Sequence, residues 1–141
     1  GLSLGRGRAI TGELAQPDGM AGTLTELPPS IGELSHLRSL NLSGHDLRAI
    51  PPEFAQLAAL EALDLFRNDL SEPRAFRALG FLPNLRNLTL AGNHLLDLPR
   101  SFCRLRSLRV LELQHTNLAR LDHISCLSNL TRLDLGITTT D

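Results

Sequence analysis

The chain has 141 residues, room for one domain, and its 42% apolar and 21% charged content excludes a disordered tract. A net charge of −1 gives no overall field toward nucleic acid or a membrane surface, and no apolar run approaches the ~18 residues of a spanning helix. No signal-peptide pattern opens the sequence, which leaves an upstream signal open, and all 14 basic residues are arginine. That bias fits a GC-rich genome; a lysine-free surface also lacks the acceptor for ubiquitin.

Residues 1–23 are rich in glycine and only loosely periodic. Leu14 is in register with the later repeats, but Pro17 and Gly19 stand where strand leucines belong. This segment is expected to be a degenerate cap or lead-in, ahead of a repeat domain over 24–141. From residue 24 on, one pattern recurs every 22–25 residues. It runs Leu37, Leu40, Leu42, His45, Leu47, then Leu60, Leu63, Leu65, Asn68, Leu70. Further copies are Leu85, Leu88, Leu90, Asn93, Leu95 and Leu108, Leu111, Leu113, Thr116, Leu118, and a fifth opens with Leu130, Leu133, Leu135.

Such a period specifies a stacked solenoid. The alternating pair in each copy points to one face of a short strand, one strand per repeat in one direction, hence a parallel sheet. Return segments bring a second apolar set: Leu24, Leu27, Ile31, Leu34; then Leu47, Ile50, Phe54, Leu57; then Leu95, Leu98, Phe102, Leu105. Leu27-Pro28, Ile50-Pro51 and Leu98-Pro99 force extended backbone before a short helical piece. The stretch from Ser71 to Leu79 is longer and reads as a helix bulging outward. The threefold spacing Leu118, Leu121, Ile124, Leu127, Leu130 favours 3₁₀ turns. The Asn position closes the turn after each strand; His45 and Thr116, in its place, supply only part of its bonding.

Residues 24–135 strongly resemble leucine-rich repeat proteins, on the leucine, Asn and Leu-Pro positions quoted. The stretch from Leu24 to Gly44 is similar to the 23-residue Leu-Pro subclass of intracellular scaffolds and injected bacterial effectors. The fourth repeat resembles the 22-residue class of phosphatase regulators. The resemblance implies an α/β solenoid, with a curved parallel sheet on the concave face and 3₁₀ or extended segments on the convex face. It also implies a cytoplasmic binding module without catalysis.

The outward strand positions are the candidate site. One row reads Asn41, Asp64, Thr89, Glu112, Asp134 and the row before it Ser39, Ala62, Asn87, Val110, Arg132. The rows after it hold Ser43, Phe66, Ala91, Gln114, Gly136 and then Gly44, Arg67, Gly92, His115, Ile137. An acidic row with an aromatic anchor at Phe66 points to a protein partner carrying a basic patch. The expected contacts are Asn41, Asp64, Phe66, Arg67, Asn87, Thr89, Glu112, Gln114, His115 and Asp134. Arg74, Arg77, Arg100, Arg104, Arg106 and Arg120 fall on return segments and turns, where solvated outer arginines are the ordinary reading. With no Trp or Tyr, nucleic acid is not an expected partner.

No phosphate loop, Cys-x-x-Cys or His-Glu-x-x-His occurs, so no catalytic residue, metal site or cofactor is expected. Cys103 and Cys126 lie in adjacent repeats but one position out of register, and no cysteine-rich cap flanks the repeats. Two free thiols and a cytoplasmic location are expected, with a disulfide or metal role as the alternative. Sequons at Asn41, Asn87 and Asn129 are explained by the repetition itself as well as by glycosylation. An abrupt stop after Leu135 would expose core leucines, so further repeats or another chain are expected to cover that end. Two other readings stand beside the binding module: the targeting arm of a multidomain enzyme such as a ubiquitin ligase, kinase or GTPase, and an extracellular receptor fragment.

Overall fold

The computed structural model describes residues 24–136. The reading of residues 1–23, the position of Ile137 and the last four residues lie outside that range. Five strands form one sheet in sequential order: β1 (Ser39–Asn41), β2 (Ala62–Asp64), β3 (Asn87–Thr89), β4 (Val110–Glu112) and β5 (Arg132–Asp134). All neighbours are parallel, and every repeat pairs with the next in step, Leu40 opposite Leu63, then Leu88, Leu111 and Leu133 along the sheet. The expected α/β leucine-rich solenoid is therefore the fold.

Each strand ends because its polar turn must bend back at once. The ladder nonetheless continues one step further through Gly44 N–H to Phe66 carbonyl (2.8 Å), Arg67 to Ala91 (2.9 Å) and Gly92 to Gln114 (3.0 Å). Asn68 and Asn93 then close the turns. Asn93 Oδ1 accepts the Leu70 N–H at 3.0 Å, while its Nδ2 donates to the Leu65 and Leu90 carbonyls at 2.9 Å. Asn68 does the same for Leu47, Leu42 and Leu65. His45 offers only Nδ1, to the Leu24 N–H. Thr116 donates to Leu113 at 2.7 Å but is too short to reach Leu95, whose N–H takes the Thr116 backbone carbonyl at 3.1 Å. The partial bonding expected of both substitutes is what they make.

The return segments carry 3₁₀ helices: η1 (Pro29–Glu33), η2 (Pro52–Gln56), η3 (Pro73–Ala75), η4 (Arg77–Phe81) and η5 (Arg100–Arg104). Pro28, Pro51 and Pro99 hold extended backbone just before η1, η2 and η5, as the fixed φ of proline dictates. Ile31, Phe54, Phe76 and Phe102 are fully buried beneath these helices, and the Phe76 and Phe102 rings meet edge-on, centroids 6.0 Å apart. The long segment differs from expectation. It divides at Phe76 into η3 and η4 rather than forming one bulging helix, because the Phe76 ring must turn inward to the core.

The fourth return segment makes single i→i+3 turns instead of a 3₁₀ helix. Its bonds step from Ile124 to Leu121, Leu127 to Ile124 and Leu130 to Leu127, in time with the threefold apolar spacing. Here a second expectation is corrected. Cys103 and Cys126 are joined as a disulfide, with Cα atoms 5.2 Å apart, and are not free thiols. Counted from the leucines before them, Leu95 and Leu118, the two cysteines hold equivalent positions 23 residues apart; the mismatch arises only after them, where the fourth return segment is one residue shorter before Leu127. Both sulfurs lie beside the His123 carbonyl. Past this staple burial declines: Leu111 and Leu113 are sealed, whereas Leu133 and Leu135 are 37% and 36% exposed.

Candidate functional site

Asn41, Asp64, Thr89, Glu112 and Asp134 stand side by side across β1 to β5, all half-buried. Strand spacing sets Asp64 and Glu112 about 10 Å apart. Their leucine neighbours turn inward, so these five polar side chains face out of the sheet.

Three of the five also hold the turn after their strand. Asn41 Oδ1 accepts the Ser43 N–H, Asp64 Oδ1 the Phe66 N–H and Asp134 Oδ1 the Gly136 N–H, each at 2.9 Å. Thr89 instead donates its hydroxyl to Glu112 Oε2 on the neighbouring strand, at 3.0 Å. The second Asp134 oxygen faces the Arg132 guanidinium at 3.9 Å. This row is thus both an acidic surface and a ladder of side chain-to-backbone turns. Sequence reasoning did not assign that second role. The signal was present, since Asn or Asp two residues before a bend is the usual spacing for such a turn.

Beyond the strands the chain bends through left-handed backbone. Gly44 and Gly92 have φ near 76°, as glycine allows, but the same column holds Arg67 at 56° and His115 at 58°. A side chain there costs about 1 kcal/mol or more. Phe66 is 38% exposed, with the Arg67 guanidinium 5.6 Å from its ring centroid. Gln114 and His115 repeat the Phe66 and Arg67 positions two repeats on. Between the pairs lie Ala91 and Gly92, where a Cβ would come within 3.1 Å of Arg67 Cγ. The Arg67 side chain therefore lies over Gly92, and Ala91 beside it is buried. Gln114 Oε1 is buried without a hydrogen-bond partner among the described residues.

The structure brings all ten expected residues to one face. Asn41, Asp64, Asn87, Thr89, Glu112 and Asp134 are on strands, and Phe66, Arg67, Gln114 and His115 on the turns after β2 and β4. Among the described residues, no cluster of three His, Cys, Asp or Glu could hold a metal. No helix among them is long and apolar enough to cross a membrane.

Residues 81–137 match a family model described as leucine rich repeat, and residues 36–57 match a second model of that description. No curated protein sequence matches the chain. Among solved structures, it is similar to a leucine-rich repeat protein of Leptospira interrogans at 33% identity and a TM-score of 0.73. That match covers 83% of this chain and 30% of the other. A plant peptide hormone receptor, solved in complex with a peptide hormone, is 32% identical with a TM-score of 0.64, covering 78% of this chain and 18% of the receptor. The receptor TLR13, solved with single-stranded RNA, is 28% identical with a TM-score of 0.70, covering 80% of this chain and 17% of that one. The chain therefore spans less than a third of each of these proteins.

Proposed function

The chain belongs to the leucine-rich repeat family, whose fold is a protein-interaction scaffold, and on that premise we propose that its concave sheet face binds a protein through a basic patch. The observation that carries this reading is the in-register acidic row of Asp64, Glu112 and Asp134 with Phe66 and Arg67 exposed beside it. Carboxylates in a row select and steer a positive partner, and an exposed aromatic beside an arginine is the composition of a binding hot spot. The non-glycine side chains at left-handed positions support the same assignment, since strain retained at Arg67 and His115 is explained by what those side chains do. No catalysis, metal or cofactor is assigned to this face.

Disulfides are rare in the reducing cytoplasm. With Cys103 joined to Cys126, we assign the module to an oxidising environment, as a secreted effector or receptor-like recognition domain. We also assign the exposed side of Leu133 and Leu135 to a covering element, either further repeats or another chain. The targeting-arm reading has no residue that favours it.

A photo-crosslinking residue at Asn87, on the sheet face, should capture a partner that the same residue at Arg48 does not. The captured segment should be rich in Lys and Arg. Equal capture from both positions, or a captured segment without basic residues, rejects the sheet face as the site.

A further inference from the structure

The opposite face of the solenoid carries a second surface, of opposite charge. Between η2 and η4 the return segments leave a groove of about 370 Å³. Its apolar lining includes Ile50, Pro52, Ala78 and Phe81, and its polar lining is Arg74 and Arg77. The same two arginines border a smaller hollow of about 210 Å³ against Pro99 and Arg100. Phe81 is 47% exposed, and the Arg104 guanidinium lies 5.0 Å from its ring centroid.

The chain itself dictates this placement. The long third return segment breaks into η3 and η4 at Phe76, which turns Arg74, Arg77 and Phe81 outward while Phe76 and Leu79 fill the core. Gly80 lets η5 approach closely, because a Cβ there would meet the Ser101 backbone. That approach sets the η5 arginines, Arg100 and Arg104, beside the return segment that carries Arg74 and Arg77. Four guanidiniums thus gather on two adjacent return segments. Among the described residues only Glu72 pairs with any of them, holding Arg74 at 2.8 Å. The ordinary reading, arginines solvated wherever the repeat leaves them, explains neither the apolar groove they flank nor the exposed ring that one of them covers.

We propose that this groove binds an acidic protein segment carrying one apolar side chain. The apolar residue seats against Pro52, Ala78 and Phe81, and flanking carboxylates pair with Arg77 and Arg100. Guanidinium forks match carboxylates in two-point geometry, and arginine with an exposed aromatic is the usual make-up of a binding hot spot. A bare phosphate would leave the apolar wall unused. Single-stranded nucleic acid needs a row of stacking aromatics, and Phe81 is the one aromatic lining the groove. The surface is separate from the sheet face and does not depend on its assignment.

The test uses the disulfide-bonded chain and a fluorescein-labelled peptide of Glu and Asp residues around one Leu, read by fluorescence anisotropy. The expected result is binding that weakens about tenfold or more in R77E and in R100E, with D64N/E112Q unchanged. F81S should erase the preference for this peptide over its Leu→Ser version. Because Arg77, Phe81 and Arg100 are exposed, circular dichroism and melting of each variant should match the parent. Three results overturn the proposal: equal binding by parent and R77E, tighter binding of a single-stranded RNA oligomer or pyrophosphate than of the peptide, or self-association of the chain that R77E abolishes. The last would make a second copy the occupant.

Discussion

Asn93 and Asp64 are both polar, both close a turn, and differ in what a substitution would reveal. Asn93 is fully buried and satisfies one N–H and two carbonyls that water cannot reach. Asn93→Ala leaves the Leu70 N–H unpaired, while the Leu65 and Leu90 carbonyls keep Asn68 Nδ2 and the Asn93 backbone N–H, so it should cost about 2 kcal/mol, read as a lower urea midpoint with an unchanged slope. Asp64 is half-buried, and its one turn bond needs an oxygen but not a charge. Asp64→Asn should therefore keep the melting temperature, while Asp64→Ala lowers it at a cost of about 1 kcal/mol of stability. Arg67 is the converse case. Its left-handed backbone is relieved in Arg67→Gly, which should leave stability level or raise it by up to about 1 kcal/mol, against the added freedom of glycine when unfolded. A drop in melting temperature for Arg67→Gly would show that the side chain is structural and remove the strain argument for its role in binding.

At the scale of elements, the 3₁₀ helices and the staple decide how the repeats stack. Gly80 sits where η4 and η5 touch backbone to backbone. Gly80→Ala should destabilise by about 1–3 kcal/mol, the range for overpacking a tight contact. Ala at the neighbouring exposed Arg77 should be nearly silent. The Cys103–Cys126 bond closes a span of 23 residues around the least buried return segment. Thiol alkylation should label the protein only after reduction. Reduction should remove about 3 kcal/mol by the chain-entropy model and loosen residues around Leu121 to Leu135 first, seen as faster amide exchange there than in β2 and β3. Labelling without reduction would restore the free-thiol reading and the cytoplasmic placement with it.

For the whole molecule, the leucine period carried the architecture because each element repeats a single geometry. Strand register, the paired leucines and the rows they define are read directly from spacing, and β1 to β5 carry six of the ten expected residues, with the other four on the turns after β2 and β4. What spacing did not carry is contact between neighbouring return segments. Cys103 and Cys126 look mismatched when aligned on Leu105 and Leu127 after them, yet they meet because they are in step with Leu95 and Leu118 before them, 23 residues apart. Phe76 looks like part of one helix, yet it divides the segment, since only the packed core fixes which side an extra residue takes. The double use of Asp64 was legible from its distance to the bend, but a row of carboxylates suggests charge before it suggests backbone.

The binding proposed for the sheet face rests on its charge. D64N/E112Q removes two negative charges while leaving an oxygen at each position for the Phe66 N–H and the Thr89 hydroxyl. The decisive measurement is affinity for the crosslinked partner, taken for parent and variant across ionic strength. The variant should lose roughly tenfold or more at low salt, with the gap narrowing as salt screens the parent and the melting temperature unchanged. Equal affinity of the two proteins at every salt concentration would rule out the acidic row as the site.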